Sequence, residues 1–182
     1  MSKVDEGTNL AGGSLGSPRP ATIALTRGRI ALVDAGDYEF LSQYKWTAVL
    51  IGRKGYKYWS AQTKIGGRSV FMHRLIMAAP NDLQVDHKNQ NTLDNQRSNL
   101  RLCTNSQNQA NRPLSKRNTS GYRGVVLDRS VVKNIWRAQI RINRKRLHLG
   151  NFAASEDAAR AYDEAARFHF GEFATLNFQE QI

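Results

Sequence analysis

Between Ile135 and Leu149 apolar and polar residues alternate with a period of two, and no other stretch of the chain restricts its fold as much. Trp136, Ala138, Ile140 and Ile142 fall on one side of an extended strand, and Arg137, Gln139 and Arg141 on the other. After a three-residue turn, Asn143-Arg-Lys145, Leu147 and Leu149 continue the apolar side, and Arg146 and His148 the basic side. Successive side chains point to opposite faces of a strand, so this hairpin has one face to bury and one arginine-rich face to leave open. A helix is expected to follow from Ser155, a candidate N-cap, to His169, with Gly171 just beyond and Glu156 and Asp157 suited to its N-terminal dipole. Ala158, Ala161, Tyr162, Ala165 and Phe168 form its apolar stripe, and the small alanines allow close approach to the sheet.

Charge is concentrated on the same region. From 113 to 151 ten basic residues face Asp128 alone, a net +9 out of +12 for the 182-residue chain. Residues 21–80 carry +6, 81–112 only +1, and the tail from 152 reverses to −4. Charge alone leaves two alternatives, a solvated basic face or a polyanion-binding surface. Apolar runs such as Ala48–Ile51 are too short to cross a bilayer, and residues 1–13 lack the basic start and apolar core of a secretory signal. Cys103 stands alone, so neither an internal disulfide nor a cysteine-pair zinc site is expected. An intracellular, cytoplasmic protein is expected.

The Gly-, Ser- and Pro-rich residues 1–20 read as a disordered tail. Strand-like runs follow at Ile30–Val33, Trp46–Ile51, Tyr56–Ala61 and Arg68–Met72, punctuated by Asp34-Ala-Gly-Asp37, residues 52–55 and Gly66-Gly67. They predict a small antiparallel leader sheet running into a short helix, His73–Ala79, stopped by Pro80. Residues 81–112 hold eight asparagines and read as mostly loop, with a short strand at Leu100–Leu102. A helix opens at Thr104 on a capping box, Thr104-x-x-Gln107, and ends before Pro113; residues 113–119 read as a basic linker.

Val85-Asp86-His87 leaves a strand for this asparagine-rich segment, with Asn99 further on and Asn108 on the capped helix. Asp86 and Asn108 offer two hard oxygen ligands suited to Mg²⁺. His87 points to the other side of the strand and is free to act as general base on water. His73 has two readings, a phosphate or metal contact and a packed residue at the end of the leader sheet; packing is preferred. His169 reads as structural and Cys103 as a small buried residue.

His73-Arg-Leu-Ile76, Val85-Asp86-His87, Asn95, Asn99-Leu-Arg101 and Gln107-Asn108 together resemble the HNH endonucleases of the phage homing type, which have a ββα-metal core. The resemblance covers about residues 70–112. It implies that Asp86 and Asn108 bind a divalent cation, Mg²⁺ or another hard ion such as Mn²⁺, and no zinc. It also implies that His87 activates the water and that Asn99 braces the loop and orients the histidine.

Gly121-Tyr-Arg-Gly-Val125, Trp136-x-Ala138-x-Ile140, Leu149-Gly150-x-Phe152, Ala158-Ala-x-Ala-Tyr-Asp163 and the closing Gly171–Phe178 resemble the AP2 DNA-binding domain over residues 120–178. That resemblance implies a three-stranded sheet laid in the major groove, with Arg123, Arg141, Arg146 and His148 as contacts and Gly124 allowing close backbone approach. The alternation above adds Arg137 and places Trp136 in the core. Val126 and Asp128 stand where plant members have arginine, Gln139 where they have an acidic residue, and His148 where they have tryptophan, so the plant target is not carried over.

The expected fold class is α+β: a leader sheet and ββα-metal core over 21–112, and a sheet-on-helix module over 120–178. The expected function is a metal-dependent, site-specific endonuclease acting on double-stranded DNA as a monomer or weak dimer, of phage or mobile-element type. The alternative is a non-enzymatic DNA-binding regulator carrying an inactive HNH relic.

Overall fold

Val33, Leu41, Trp46 and Met72 are almost completely buried, and the first half of the chain folds around them. The computed structural model describes residues 19–53, 56–129 and 135–178; the tail expected over residues 1–20 lies outside them as far as residue 18. Strands β1 (Ala21–Ala24) and β2 (Ile30–Val33) form a two-stranded antiparallel ribbon closed by a 3₁₀ turn at Thr26–Gly28. Ile30–Val33 thus pairs upstream rather than joining the next strands, because helix α1 (Ala35–Ser42) intervenes. The sequence reads Asp34-Ala-Gly-Asp37 as a turn; these residues instead open α1. Asp34 makes no capping bond and turns its carboxylate to the backbone N–H of Arg97, 2.8 Å away. Tertiary contacts through Leu41, whose carbonyl accepts from Trp46 Nε1 at 2.8 Å, hold this helix more than its own propensity does.

Strands β3 (Thr47–Arg53), β4 (Tyr56–Ile65) and β5 (Arg68–Phe71) form an antiparallel meander in that order. Gly66 and Gly67, at φ 56° and 78°, supply the two left-handed positions of the β4–β5 hairpin turn. Helix α2 (Met72–Ile76) is shorter than the expected His73–Ala79, because Ala78 turns to φ 43° ahead of Pro80. Arg74 folds over that end, donating to the carbonyls of Ala79, Pro80 and Leu83. Then come antiparallel strands β6 (Gln84–His87) and β7 (Leu100–Cys103) and helix α3 (Asn105–Ala110). The Thr104 capping box that starts α3 is complete. The loop between β6 and β7 is stitched to the leader ribbon: Leu32 N–H donates to Leu93 O at 2.9 Å, and Asn95 N–H to Leu32 O at 2.8 Å. The Arg97 guanidinium forks onto the Asp37 carboxylate at 2.7 and 2.8 Å.

Strands β8 (Val125–Asp128), β9 (Ile135–Ile142) and β10 (Lys145–Phe152) form an antiparallel sheet in the order β10-β9-β8, with helix α4 (Ser155–Phe170) on one face. The β9–β10 turn has two residues rather than three. Ile142 pairs with Lys145, and Asn143 and Arg144 take φ 47° and 68°. A register shift between His148 and Gly150 brings Asn151 opposite Arg137. Helix α4 buries Ala158, Ala159, Tyr162, Ala166 and Phe170, a stripe rotated from the expected one, and Phe168 is 84% exposed. The observed row ends in a ring that closes the core over Ala110 of α3. Hence residues 113–119, read as a linker, connect two units that pack on each other. Trp136 packs beside Val125, Ala138, Ala158 and Ala159. Among the described residues no helix is long and apolar enough to cross a membrane.

Candidate active site

Asp86 and His87 are neighbours on strand β6, and each meets a different set of partners. Both are buried, at 5% and 6% exposure, and both line a cleft of about 670 Å³ floored by β6 and walled by β4, α2 and α3. His87 Nε2 lies 3.4 Å from Asn95 Oδ1. Its ring meets His73 edge-on at 5.2 Å between centroids, and His73 stacks on Phe71 at 5.5 Å.

Both imidazoles are held below the ordinary histidine range. Burial pulls the His87 value down, against the contact with Asn95 and the Asp86 charge, which raise it. Burial, then His87, then Arg74, bring His73 down to about 3. The unfolded chain takes up a proton at His73 below about pH 6.5 and the folded chain does not. Stability from the neutral ring is therefore complete above pH 6.5 and falls by up to about 1.4 kcal/mol per pH unit as pH drops toward 3. Substituting His73→Phe should make the urea midpoint fall less steeply between pH 6.5 and 4 than in wild type. Parallel curves for the two proteins would refute this assignment.

Of the four proposed chemical residues, Asp86, His87 and Asn108 line this cleft and Asn99 does not. Asn99 braces the loop, accepting from Asn89 N–H at 3.0 Å through Oδ1 and donating to Asp94 O at 2.8 Å through Nδ2. The side chain facing the imidazole is that of Asn95, which is fully buried and whose Nδ2 has no hydrogen-bond partner among the described residues. Asn108 lines the same cleft as Asp86. Its Nδ2 is anchored on Gln84 Oε1 at 2.6 Å, which leaves Oδ1 as the free end of the amide.

Asp86 has partners that the sequence reading did not find. Arg101 stands directly opposite it across β6–β7 and places Nε and Nη2 on Oδ2 at 2.9 and 2.8 Å. Asn111, at the C-cap of α3, donates its Nδ2 toward Oδ1 at 3.0 Å and Oδ2 at 3.1 Å, and also to His87 O at 2.9 Å. The sequence carried a trace of each. Opposite charges pair across antiparallel strands, and Asn111 follows Asn108 by one helical turn.

The oxygen donors fit a hard divalent ion. Oδ2 of Asp86 takes both Arg101 nitrogens as well as the Asn111 amide, whereas among the described residues Oδ1 meets the Asn111 amide alone. With Asn108 Oδ1 this makes a carboxylate and an amide oxygen, and Mg²⁺ keeps several waters beside so few protein ligands. Among the described residues no three His, Cys, Asp or Glu side chains cluster as metal ligands, so an ion here would rest on this pair and solvent.

The second proposed surface is the open face of β8–β10. A groove there is lined by Asp128, Arg137, Gln139, Arg146, His148 and Asn151. Arg141 and Arg146 face each other across the strands at the exposed hairpin end. Like charges placed so repel, and an anion lying over them relieves the repulsion. Arg137 is ion-paired with Asp128 and is less available than the alternation alone suggests. Arg123 is clasped through its backbone by Asn177, which accepts from its N–H and donates to its carbonyl. A Cβ on Gly124 (φ 73°) would sit 2.0 Å from the Tyr162 ring and 2.6 Å from Gln139 O. The close approach Gly124 permits inside the protein is thus that of helix α4.

Comparison with known proteins gives two separate likenesses. Residues 70–110 match the family model described as HNH endonuclease. An uncharacterised HNH endonuclease of Acanthamoeba polyphaga mimivirus is 33% identical over 155 residues, 83% of this chain and 76% of that protein. The dehydration-responsive element-binding protein 2E of Oryza sativa is 52% identical over 58 residues, 31% of this chain and 17% of that protein. An ethylene-responsive transcription factor-like protein of Arabidopsis thaliana is 40% identical over 47 residues, 26% and 20% of the two chains.

Proposed function

The chain belongs to the HNH endonuclease family, and from that premise we propose that it is a homing-type enzyme hydrolysing phosphodiester bonds of double-stranded DNA with Mg²⁺ or Mn²⁺. The observation that carries this reading is the cleft lined together by a buried imidazole, a buried carboxylate and the amide of Asn108. Asn95 engages Nε2 of His87, which leaves Nδ1 to accept a proton from the attacking water. Burial lowers the imidazole's affinity for a proton and so favours the unprotonated state that a base needs. Attack in line with the 3′ oxygen forms a new O–P bond and breaks the P–O3′ bond. The 3′ oxygen takes a proton from solvent, giving 5′-phosphate and 3′-hydroxyl ends. Asp86 and Asn108 would hold the cation, which when bound supplies charge stabilisation at the phosphate and the leaving oxygen. Arg112, exposed at the rim of the cleft, suits a flanking phosphate.

Affinity comes mainly from elsewhere, since residues 81–112 carry only +1. The open face of β8–β10 is a ribbon of the kind that enters a major groove, and Arg137, Arg141 and Arg146 on it are assigned to DNA contact. One active site per chain makes a nick, and two chains or two successive cuts make a double-strand break. A second reading, a DNA-binding regulator without activity, draws on Asp86 being already neutralised by Arg101.

The test is supercoiled plasmid incubated with the protein in Mg²⁺ or in EDTA. Nicked circles are expected only with metal. Duplex binding without nicking of any DNA tried would favour the regulator. In the same preparation Arg141→Ala and Arg146→Ala should each weaken duplex binding. A phosphate contact would lower the slope of log K against log salt by about 1, and a base contact would cost about 1–3 kcal/mol and relax sequence preference. Wild-type affinity and slope in both variants would remove this face from the DNA interface.

A further inference from the structure

The segment that follows α4 does not trail away from the sheet-on-helix module but reaches back to the carboxylate of the nuclease cleft. A 3₁₀ turn, Gly171–Phe173, leads into Thr175. The Thr175 hydroxyl donates to Asn111 Oδ1 at 3.0 Å, and the Nδ2 of that same amide is donated to Asp86. A few residues earlier, Glu172 O accepts from Arg101 Nη1 at 2.6 Å, and the Phe173 ring lies 4.2 Å beneath the guanidinium. With Nη1 so occupied, Arg101 presents Nε and Nη2 to the one oxygen, Oδ2. The segment is itself fastened to α4. Buried Asp163 accepts from the backbone N–H groups of Asn177 and Phe178, at 2.8 and 2.9 Å.

An amide turned through 180° would present its oxygen to a carboxylate. A donor at Thr175 and an acceptor at Asp86 therefore select one orientation of Asn111. We propose that this C-terminal strap is part of the cation site, with Thr175 as a positioning residue that acts through Asn111 to fix the Asp86 carboxylate that lines the cleft. This rests on the nuclease reading above, and it makes the module assigned to DNA recognition a structural contributor to metal binding. Groups that orient a ligand in this way typically change metal affinity by about 10–100-fold when removed.

Thr175→Val removes the hydroxyl at nearly constant volume, Thr175→Ser keeps it, and Thr175→Ala serves if the valine variant does not fold. Mn²⁺ affinity is read by electron paramagnetic resonance of the free ion on full-length protein, with thermal melts and duplex binding in EDTA alongside. The valine or alanine variant should lose about 10–100-fold in Mn²⁺ affinity. The serine variant should stay near wild type, and metal-free duplex binding should be unchanged in all. A folded valine or alanine variant that binds Mn²⁺ as wild type does would overturn the strap proposal and leave the nuclease reading standing. Equal losses in the serine and valine variants would also overturn it, since the hydroxyl would then be irrelevant. Wild-type protein that neither binds Mn²⁺ nor nicks DNA would overturn both.

Discussion

Replacing His87 by alanine should slow metal-dependent plasmid nicking by about 10²–10⁴-fold, the usual contribution of a positioned general base. Duplex binding should be nearly unchanged, because the basic sheet face lies on another part of the molecule. The ring is buried against His73 and Asn95, so truncation also leaves a cavity. His87→Gln is the control for that loss, as it fills much of the space without an imidazole. If the chemistry depends on proton transfer, alanine and glutamine should be similarly slow at equal stability. Retention of most of the nicking rate by either variant, once folded, would take the general base away from His87.

The second large effect concerns stability. Arg101→Met should destabilise the protein by about 3–5 kcal/mol in urea unfolding, because it leaves the Asp86 charge buried without its counter-ion. The side chains of this pair are only 12% and 6% exposed. The pair Arg97–Asp37 is equally close, but its arginine is 55% exposed, and Arg97→Met should cost no more than about 1 kcal/mol. Combining Arg101→Met with Asp86→Leu should recover most of the loss, since replacing a whole buried ion pair by apolar groups is often neutral. A single Arg101→Met variant as stable as wild type would mean that solvent reaches Asp86 far more freely than its burial indicates.

What could be read from the sequence was local. The period-two alternation through β9 and β10, the helical spacing of α4 and the capping box of α3 each depend on residues within a few positions of one another, and each yields an element at the expected place. The Asp86-His87 pair and Asn108 also line one cleft. What was not legible depends on distant partners. Helix α1 forms where turn residues stand, with Asp34 serving a loop more than sixty positions away rather than its own helix. The rotated face of α4 follows from packing against α3, and the partners of Asp86 come from a neighbouring strand and helix. Arg101, Asn111 and Thr175 lie on three different elements or segments, and no spacing rule unites them.

The stitching of the asparagine-rich loop to β2 and α1 has a consequence for anyone wishing to transplant the catalytic machinery. The loop carrying Asn95 and Asn99 takes its shape from Leu32, Asp34 and Asp37 as much as from the strands it joins. Residues 70–110 grafted alone onto a foreign scaffold would carry Asp86, His87 and Asn108 but neither Asn111 nor the frame that aims the imidazole. A portable unit must include at least β2 and the start of α1, and must reach Thr175 to keep the Asn111 contact.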